Sequence, residues 1–504
     1  MAETKREIER KYEADDEAAV PDLTKVRGIA AVRDEGVIEL DAVYYDTADL
    51  RLAADSLTLR RRTGGDDAGW HLKFPVASGI RDEIRAPLSE TLPRSLAGLL
   101  RSRVRDEPLL PVVRLRSRRD VRHLAAENGS LLAELSVDAV HAERLTGDGA
   151  AAWTEIEVEL ADDADEAILD AIDKRLKKAG IRPSDSASKL ARALAETGGG
   201  PAAQDSGESD GSAGAAVLAY VREQVEALVA LDPAVRRDLP DSVHQMRVAS
   251  RRLRSAFKTY RKVLDRAVTD PVGEELKWLA GELGHARDQE VLDERLRAGL
   301  DALPRELLLG PVRGRLRTWD AARSGGSRRR TLATLDSARH VALLDRLDAL
   351  LADPPLLPAA RKDAAKVLPK AVLRDYRRLA DRVDHALALD PGEDRDHALH
   401  DARKAAKRAR YAGDAAVPTL GKPAKRFAGR VKEVQSCLGD HQDSVVARAA
   451  LRDLAIQAHA AGESAFTWGV LHGREHEAAA ARERELPGIW ERASAPEIRA
   501  ALSH

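Results

Sequence analysis

The sequence predicts a multidomain protein: an N-terminal α+β unit built on a largely antiparallel sheet or barrel, a linker, and a C-terminal all-α helical bundle with an internal repeat. Three observations predict it. Before residue 197 the chain is made of short segments in which polar and apolar residues alternate. From residue 215 it turns to long Ala-, Leu- and Arg-rich stretches of helical period. Between them "TGGGPAAQDSGESDGSAG" has no large apolar residue and reads as a flexible linker. The expected divisions are therefore 1–196, 197–214 and 215–495. A chain of 504 residues is also too long for one ordinary core.

Taken in order, the predicted strands are "EIERKY", "LDAVYYDT", "LTLRRR", "WHLKFP", "IRDEIRAPL", "PVVRLRSRRD", "LLAELSVDAV" and "WTEIEVEL". Helices are predicted over 20–33, 90–104, 164–180 and 187–196. In the second half "HQMRVASRRLR", from His244, aligns with "HDARKAAKRAR", from His400. Downstream, "LGHARD" aligns with "LGDHQD", with Asp288 and Asp443 read as helix N-caps. A repeat of this length implies tandem bundles, not a solenoid.

The net charge of −2 conceals an asymmetry: residues 1–200 hold 31 Lys+Arg against 39 Asp+Glu, and residues 215–504 hold 51 against 42. The two halves are expected to meet different partners. One cysteine, Cys437, excludes a disulfide framework and a cysteine-rich metal site, so any metal must bind to oxygen or histidine. With no signal-peptide pattern and no apolar run long enough to span a bilayer, a cytoplasmic protein without a membrane partner is expected.

Sorting each strand by period two gives one unusually ionic side. It collects Glu7, Glu9 and Lys11; Arg60 and Arg62; His71 and Lys73; Arg81, Glu83 and Arg85; Arg114, Arg116 and Arg118; Glu134 and Asp138; and Glu155, Glu157 and Glu159. Trp70, Trp153, Tyr44 and Tyr45 are read as packing residues. A single such strand would be an ordinary sheet with one wet face. Here acids and bases are segregated by strand, so rows of like charge repel unless something lies between them. Acidic rows suit Mg²⁺ or Mn²⁺ through oxygen ligands, and arginine rows suit phosphate oxygens. A polyphosphate carrying a divalent metal satisfies both, and the absence of a Walker-type loop agrees with phosphate binding by strand side chains.

The ordered set "ExExK" at Glu7, Glu9 and Lys11, "YYDT", "LRRR", "LK", "RDE", "ELSVD", "EIEVEL" and "SKL" resembles the CYTH family, the triphosphate tunnel metalloenzymes, over residues 3–196. The resemblance implies an eight-stranded antiparallel tunnel with its ionic face inward. It implies metal held by Glu7, Glu9, Glu155 and Glu157, with Asp138 and Glu159, and phosphate held by Lys11, Arg60, Arg62, Lys73, Arg81, Arg116, Arg118 and Lys189. Glu7, Glu9, Lys11 and Glu157 would then carry the chemistry, which is hydrolysis of a triphosphate, inorganic triphosphate being the simplest. Thiamine or nucleoside triphosphatases, adenylate cyclases and a non-catalytic polyphosphate scaffold remain as alternatives.

On a helix, positions three and four apart share a face. His244, Arg247, Arg251, Arg254 and Lys258 follow that spacing, as do His400, Arg403, Lys407 and Arg410, and Lys366, Lys370, Arg374 and Arg378 make a third stripe at i+4 steps. These rows have almost no interspersed carboxylate, and like charges at such spacings destabilise a helix, so a polyanion is the expected partner. The two His-led repeats resemble the CHAD domain over 215–495, which implies inorganic polyphosphate binding by these residues and association with polyphosphate granules. Few aromatics line the stripes, so single-stranded nucleic acid is not expected.

Overall fold

A computed structural model describes residues 3–14, 20–200 and 210–502, with the side chains of 3, 285–288 and 324 outside that description. The chain divides into two compact units, Met1–Asp205 and Ser206–His504. Of the predicted linker, residues 201–209 lie outside the described residues. Its last residues are not linker in character, because the Ser212 hydroxyl accepts from the Ala215 amide and starts the helix Ala213–Arg236.

The first unit is built on β1 (Glu3–Ala14), β2 (Ala31–Asp46), β3 (Thr58–Thr63), β4 (Gly69–Ala77), β5 (Ile80–Pro87), β6 (Leu110–Ala125), β7 (Leu131–Arg144), β8 (Ala150–Leu160) and β9 (Arg182–Pro183). Their order is β5-β4-β3-β2-β6-β7-β8-β1-β9, and β5 also pairs with β1. The first eight strands therefore close into an antiparallel ring, and the short β9 adds to β1.

Period two decides which side each residue takes. Ile156 and Val158 face outward and pack beneath the helix Ala167–Lys178 with Leu169, Ile172 and Leu176. Each such fully buried side chain contributes about 1.5–3 kcal/mol. Trp70 packs outward with Leu72 and Ile84 against the helix Arg94–Val104, as a packing residue should. The alternate positions point into the ring and carry the charge.

One predicted helix is absent. Over 20–33 there is only a single 3₁₀ turn, Leu23–Lys25, capped by Asp22. Leu23, Val26 and Ile29 are nonetheless buried in the core beneath Ala167–Lys178. Gly28 takes φ +103°, which turns the chain out of the helical region, and β2 begins at Ala31. The apolar spacing reported burial correctly and the backbone wrongly.

In the second unit the two His-led segments are helices, Ser242–Thr259 and Glu393–Leu420. They do not belong to separate bundles: one core draws on Leu253 and Phe257 from the first and on Ala402, Ala406 and Ala409 from the second. Gly413 lets Glu393–Leu420 approach Lys422–Ala460 closely, since an added Cβ would stand 2.9 Å from Phe427 Cδ1. The same core takes in Ile498 and Leu502, beyond the expected boundary at 495. Neither Asp288 nor Asp443 is an N-cap, because they lie within the helices Gly284–Asp301 and Lys422–Ala460. No helix among the described residues is long and apolar enough to cross a membrane.

Candidate active site

The interior of the ring is a polar cavity of about 260 Å³ lined by Glu7, Glu9, Lys11, Arg60, Arg62, Lys73, Arg81, Glu157, Glu159 and Lys189 from the predicted set. Its acidic wall is set by register. Glu9 stands opposite Glu159 on β8, and Glu159 stands opposite Glu134 on β7, so three carboxylates occupy one cross-strand row. Like charges placed directly opposite one another are destabilising. Lys5 reaches Glu159 at 2.5 Å and Lys11 reaches Glu9 at 3.3 Å, which offsets part of that repulsion. Glu7 lies one step along β1, 2.5 Å from Lys73. Burial raises its carboxyl above the ordinary value, and Glu83 and Glu159 add to that rise against Lys73.

Deeper in the ring the balance reverses. The Ser188 hydroxyl caps the helix Lys189–Glu196, whose Leu190, Ala193 and Leu194 pack on Ala42, Leu115, Val140 and Trp153 and close that end of the ring. A lysine at a helix N-terminus meets an unfavourable dipole. Lys189 is compensated by Asp138 at 2.9 Å, Glu155 at 2.6 Å and Glu157 at 2.7 Å. Oxygens of these three carboxylates lie within 4.8 Å of one another, close enough to share a cation, and Lys189 already bridges them. Burial opposes ionisation of Glu157, yet Lys11, Lys189 and Arg119 hold its carboxyl well below the usual range. Asp138 is likewise held low by Lys189 and Arg119.

The basic wall comes from β3, β4 and β6. Burial, with Arg60 and Arg119 as neighbours, pushes the Arg62 guanidinium down to about 9, an environment that an anion would relieve. Glu83, fully buried, is shared by His71 at 2.9 Å and by Arg60 and Lys73 at 3.6 Å each. Burial and the adjacent guanidinium groups hold His71 down to about 4, so it is a neutral spacer.

Arg116 and Arg118 correct the sequence reading, since both are exposed on the outside of the ring. The inward row of β6 is Val113, Leu115, Ser117 and Arg119. Val113 and Leu115 pack on the closing helix, so this row is apolar at one end and ionic at the other, while its Arg-rich neighbour row faces out. Arg119 binds Asp138 through both carboxylate oxygens at 2.7 Å and Glu157 at 2.8 Å. Arg85, on the ionic side of β5 as its period implies, also lines the cavity, and so do Asp67 and Tyr44, the latter expected only to pack. Arg119→Gln is expected to cost at least about tenfold in turnover of the tunnel's substrate, while Arg116→Gln and Arg118→Gln leave it unchanged; steady-state phosphate release compares them.

In the helical unit a second cavity, of about 480 Å³, is lined by Arg251, Arg254 and Lys258 from one His-led helix and by Lys404, Lys407 and Arg408 from the other, with Arg378 and Arg382 from Ala364–Ala388. Arg247 and Arg403 act on Lys407 from beside it. The remaining predicted residues stand elsewhere: Lys370 is exposed, Arg374 donates to the Thr259 carbonyl, and Arg410 pairs with Asp414 at 3.5 Å. His244 and His400 are partly buried and do not line the cavity. Arg378 belongs to the third stripe expected from the sequence, and Arg382 continues it by one more i+4 step.

The family model described as "CYTH domain" matches residues 5–194, and that described as "CHAD domain" matches residues 219–452. Uncharacterized protein Rv2226 of Mycobacterium tuberculosis is 39% identical over 485 residues, which is 93% of this chain and 92% of that protein. Among solved structures, PptA from Streptomyces chartreusis aligns at 22% identity and TM-score 0.47, over 56% of this chain and 99% of its own. The CHAD domain from the plant Ricinus communis aligns at 26% identity and TM-score 0.40, over 58% of this chain and 93% of its own. Matched by both family models in this order, and by a relative along nearly its whole length, the chain belongs to the proteins in which a CYTH domain is followed by a CHAD domain.

Proposed function

We propose that the tunnel hydrolyses a triphosphate, most simply inorganic triphosphate, with Mg²⁺ or Mn²⁺, and that the helical unit binds inorganic polyphosphate. The observation that carries the first part is the Glu9, Glu159 and Glu134 row facing a wall of Arg60, Arg62 and Lys73 across one small cavity. The donor set fits a hard divalent cation: every candidate ligand is a carboxylate, and Glu7 is a buried one still short of positive charge. Glu7, Glu9, Glu157 and Glu159 would hold the metal, whereas Asp138 and Glu155 serve to anchor Lys189. Such an ion neutralises charge on the phosphate chain and on the departing pyrophosphate.

The chain's own groups do the rest by position. Arg60, Arg62, Lys73 and Arg119 bind phosphate oxygens, and Arg81 and Lys11 stand beside Glu9 at 4.0 and 3.3 Å. Glu157, kept ionised, orients the attacking water, and no covalent intermediate is required. Tyr44 is the one aromatic side chain among the described residues lining the cavity, and it packs beside Arg60, which leaves no platform for a base or a thiazole ring. The compact cavity supports inorganic triphosphate over thiamine triphosphate and ATP. Phosphate release from these three substrates with either metal tests the reading.

For the helical unit, Arg251→Gln with Arg254→Gln is expected to weaken long-chain polyphosphate binding by roughly tenfold or more and to flatten its salt dependence. Triphosphate hydrolysis should be unaffected. Binding isotherms at two ionic strengths check it, and unchanged affinity would leave these stripes as merely solvated.

A further inference from the structure

Lys407 is the unusual member of the basic cavity. Lys404 has Asp401 at 3.1 Å and Arg408 has Asp375 at 2.9 Å. Lys407 makes no hydrogen bond or ion pair among the described residues and is mostly buried. Arg403 precedes it by one turn of its own helix, and Arg251 and Arg247 face it from Ser242–Thr259. Asp443, on Lys422–Ala460, acts on it as an acid and stands 3.8 Å from Arg403, and Asp401 lines the same cavity. Arg378 and Arg382 complete the rim from Ala364–Ala388.

We propose that Lys407 is a modification site for small acyl phosphates, the mixed anhydrides of a carboxylic and a phosphoric acid. The guanidinium groups of Arg251 and Arg254 hold the phosphoryl end, which rests on the same affinity for phosphate oxygens as the polyphosphate reading. The Lys407 Nζ lone pair attacks the acyl carbon, the new N–C bond forms, the C–O bond to phosphorus breaks, and inorganic phosphate leaves. The proton lost by the amine goes to the departing phosphate or to water. A neutral amine is needed, and burial together with Arg403 and Arg251 pushes Lys407 down to about 7, whereas an ordinary lysine is protonated there. The product amide cannot be protonated, so acylation removes the positive charge that Lys407 would take up against a bound polyanion and weakens the cavity's hold on it.

The test is site-resolved mass spectrometry of the full chain treated with acetyl phosphate across a pH series. Lys407 is expected to acetylate roughly ten times faster than the exposed Lys25 and Lys277 near neutral pH. Its rate should reach half-maximum about pH 7, move to higher pH in Arg251→Gln, and fall when pyrophosphate occupies the cavity. Acetylation no faster than at Lys25 and Lys277, or a profile rising only at the pH of an ordinary lysine, overturns the proposal. Acetic anhydride, which has no phosphate to steer it, serves as a second reagent: a preference for Lys407 with it but not with acetyl phosphate overturns the acyl-phosphate assignment. Polyphosphate binding by the same preparation separates the two readings. Binding without selective acetylation overturns this inference alone, and selective acetylation without binding overturns only the polyphosphate assignment.

Discussion

Glu9→Gln is expected to lower metal-dependent phosphate release by a factor of about 100 or more, with the barrel still folded. Glu9 is buried, stands opposite Glu159 in the ring, and lies 3.3 Å from Lys11. Neutralising it takes a carboxylate out of the row that calls for a cation, and it leaves Lys11 to its other partner, Glu157. The fold should tolerate the change because the row loses a repulsion as well as a ligand. Phosphate release as a function of Mn²⁺ concentration, with thermal unfolding as the control for folding, measures both halves. Unchanged turnover would remove Glu9 from the metal.

Lys189→Met is expected to destabilise the tunnel by about 3–5 kcal/mol, because it leaves Asp138, Glu155 and Glu157 buried without the ammonium they share. For a unit of this size that corresponds to a fall in Tm of roughly 6–20 °C. The pH dependence has a definite sign. Lys189 helps to hold Asp138 and Glu157 below their ordinary values, so its contribution is present above those values and is lost as pH falls and the acids protonate. The gap between wild type and variant should be widest at neutral pH and close in acid. Added Mn²⁺ should narrow it at neutral pH, since the three oxygens are then open to a cation. Differential scanning calorimetry at two pH values, with and without Mn²⁺, checks both, and a gap indifferent to pH would show that Lys189 acts by packing alone.

The strands and their inward faces were legible because period two is a local property of the chain. "EIERK" could be sorted at once, and Glu7, Glu9 and Lys11 do point inward while Ile8 packs outward. What the sequence hid depends on contacts made at long range. On β6 the inward row changes from apolar to ionic where the closing helix ends, so Arg119 sits on the side that Leu115 had marked as apolar. Between 20 and 33 the spacing of Leu23, Val26 and Ile29 mimics a helix, but Gly28 and the need to enter β2 win. The pairing of both His-led helices around one cavity was equally out of reach. Each stripe announced its charge, and nothing local said that Lys404 and Arg408 would meet Arg378 and Arg382 there.

The central claim is that the two walls of the ring act together on a metal-bound inorganic triphosphate. Phosphate release by the full chain from inorganic triphosphate, with Mg²⁺ or Mn²⁺ and with chelator, tests it most directly, using thiamine triphosphate and ATP as rivals. Metal-dependent release that is fastest with inorganic triphosphate is the predicted result. No release from any of the three with either metal would contradict it and leave a tunnel that binds without turnover, and faster reaction of ATP would contradict the choice of substrate.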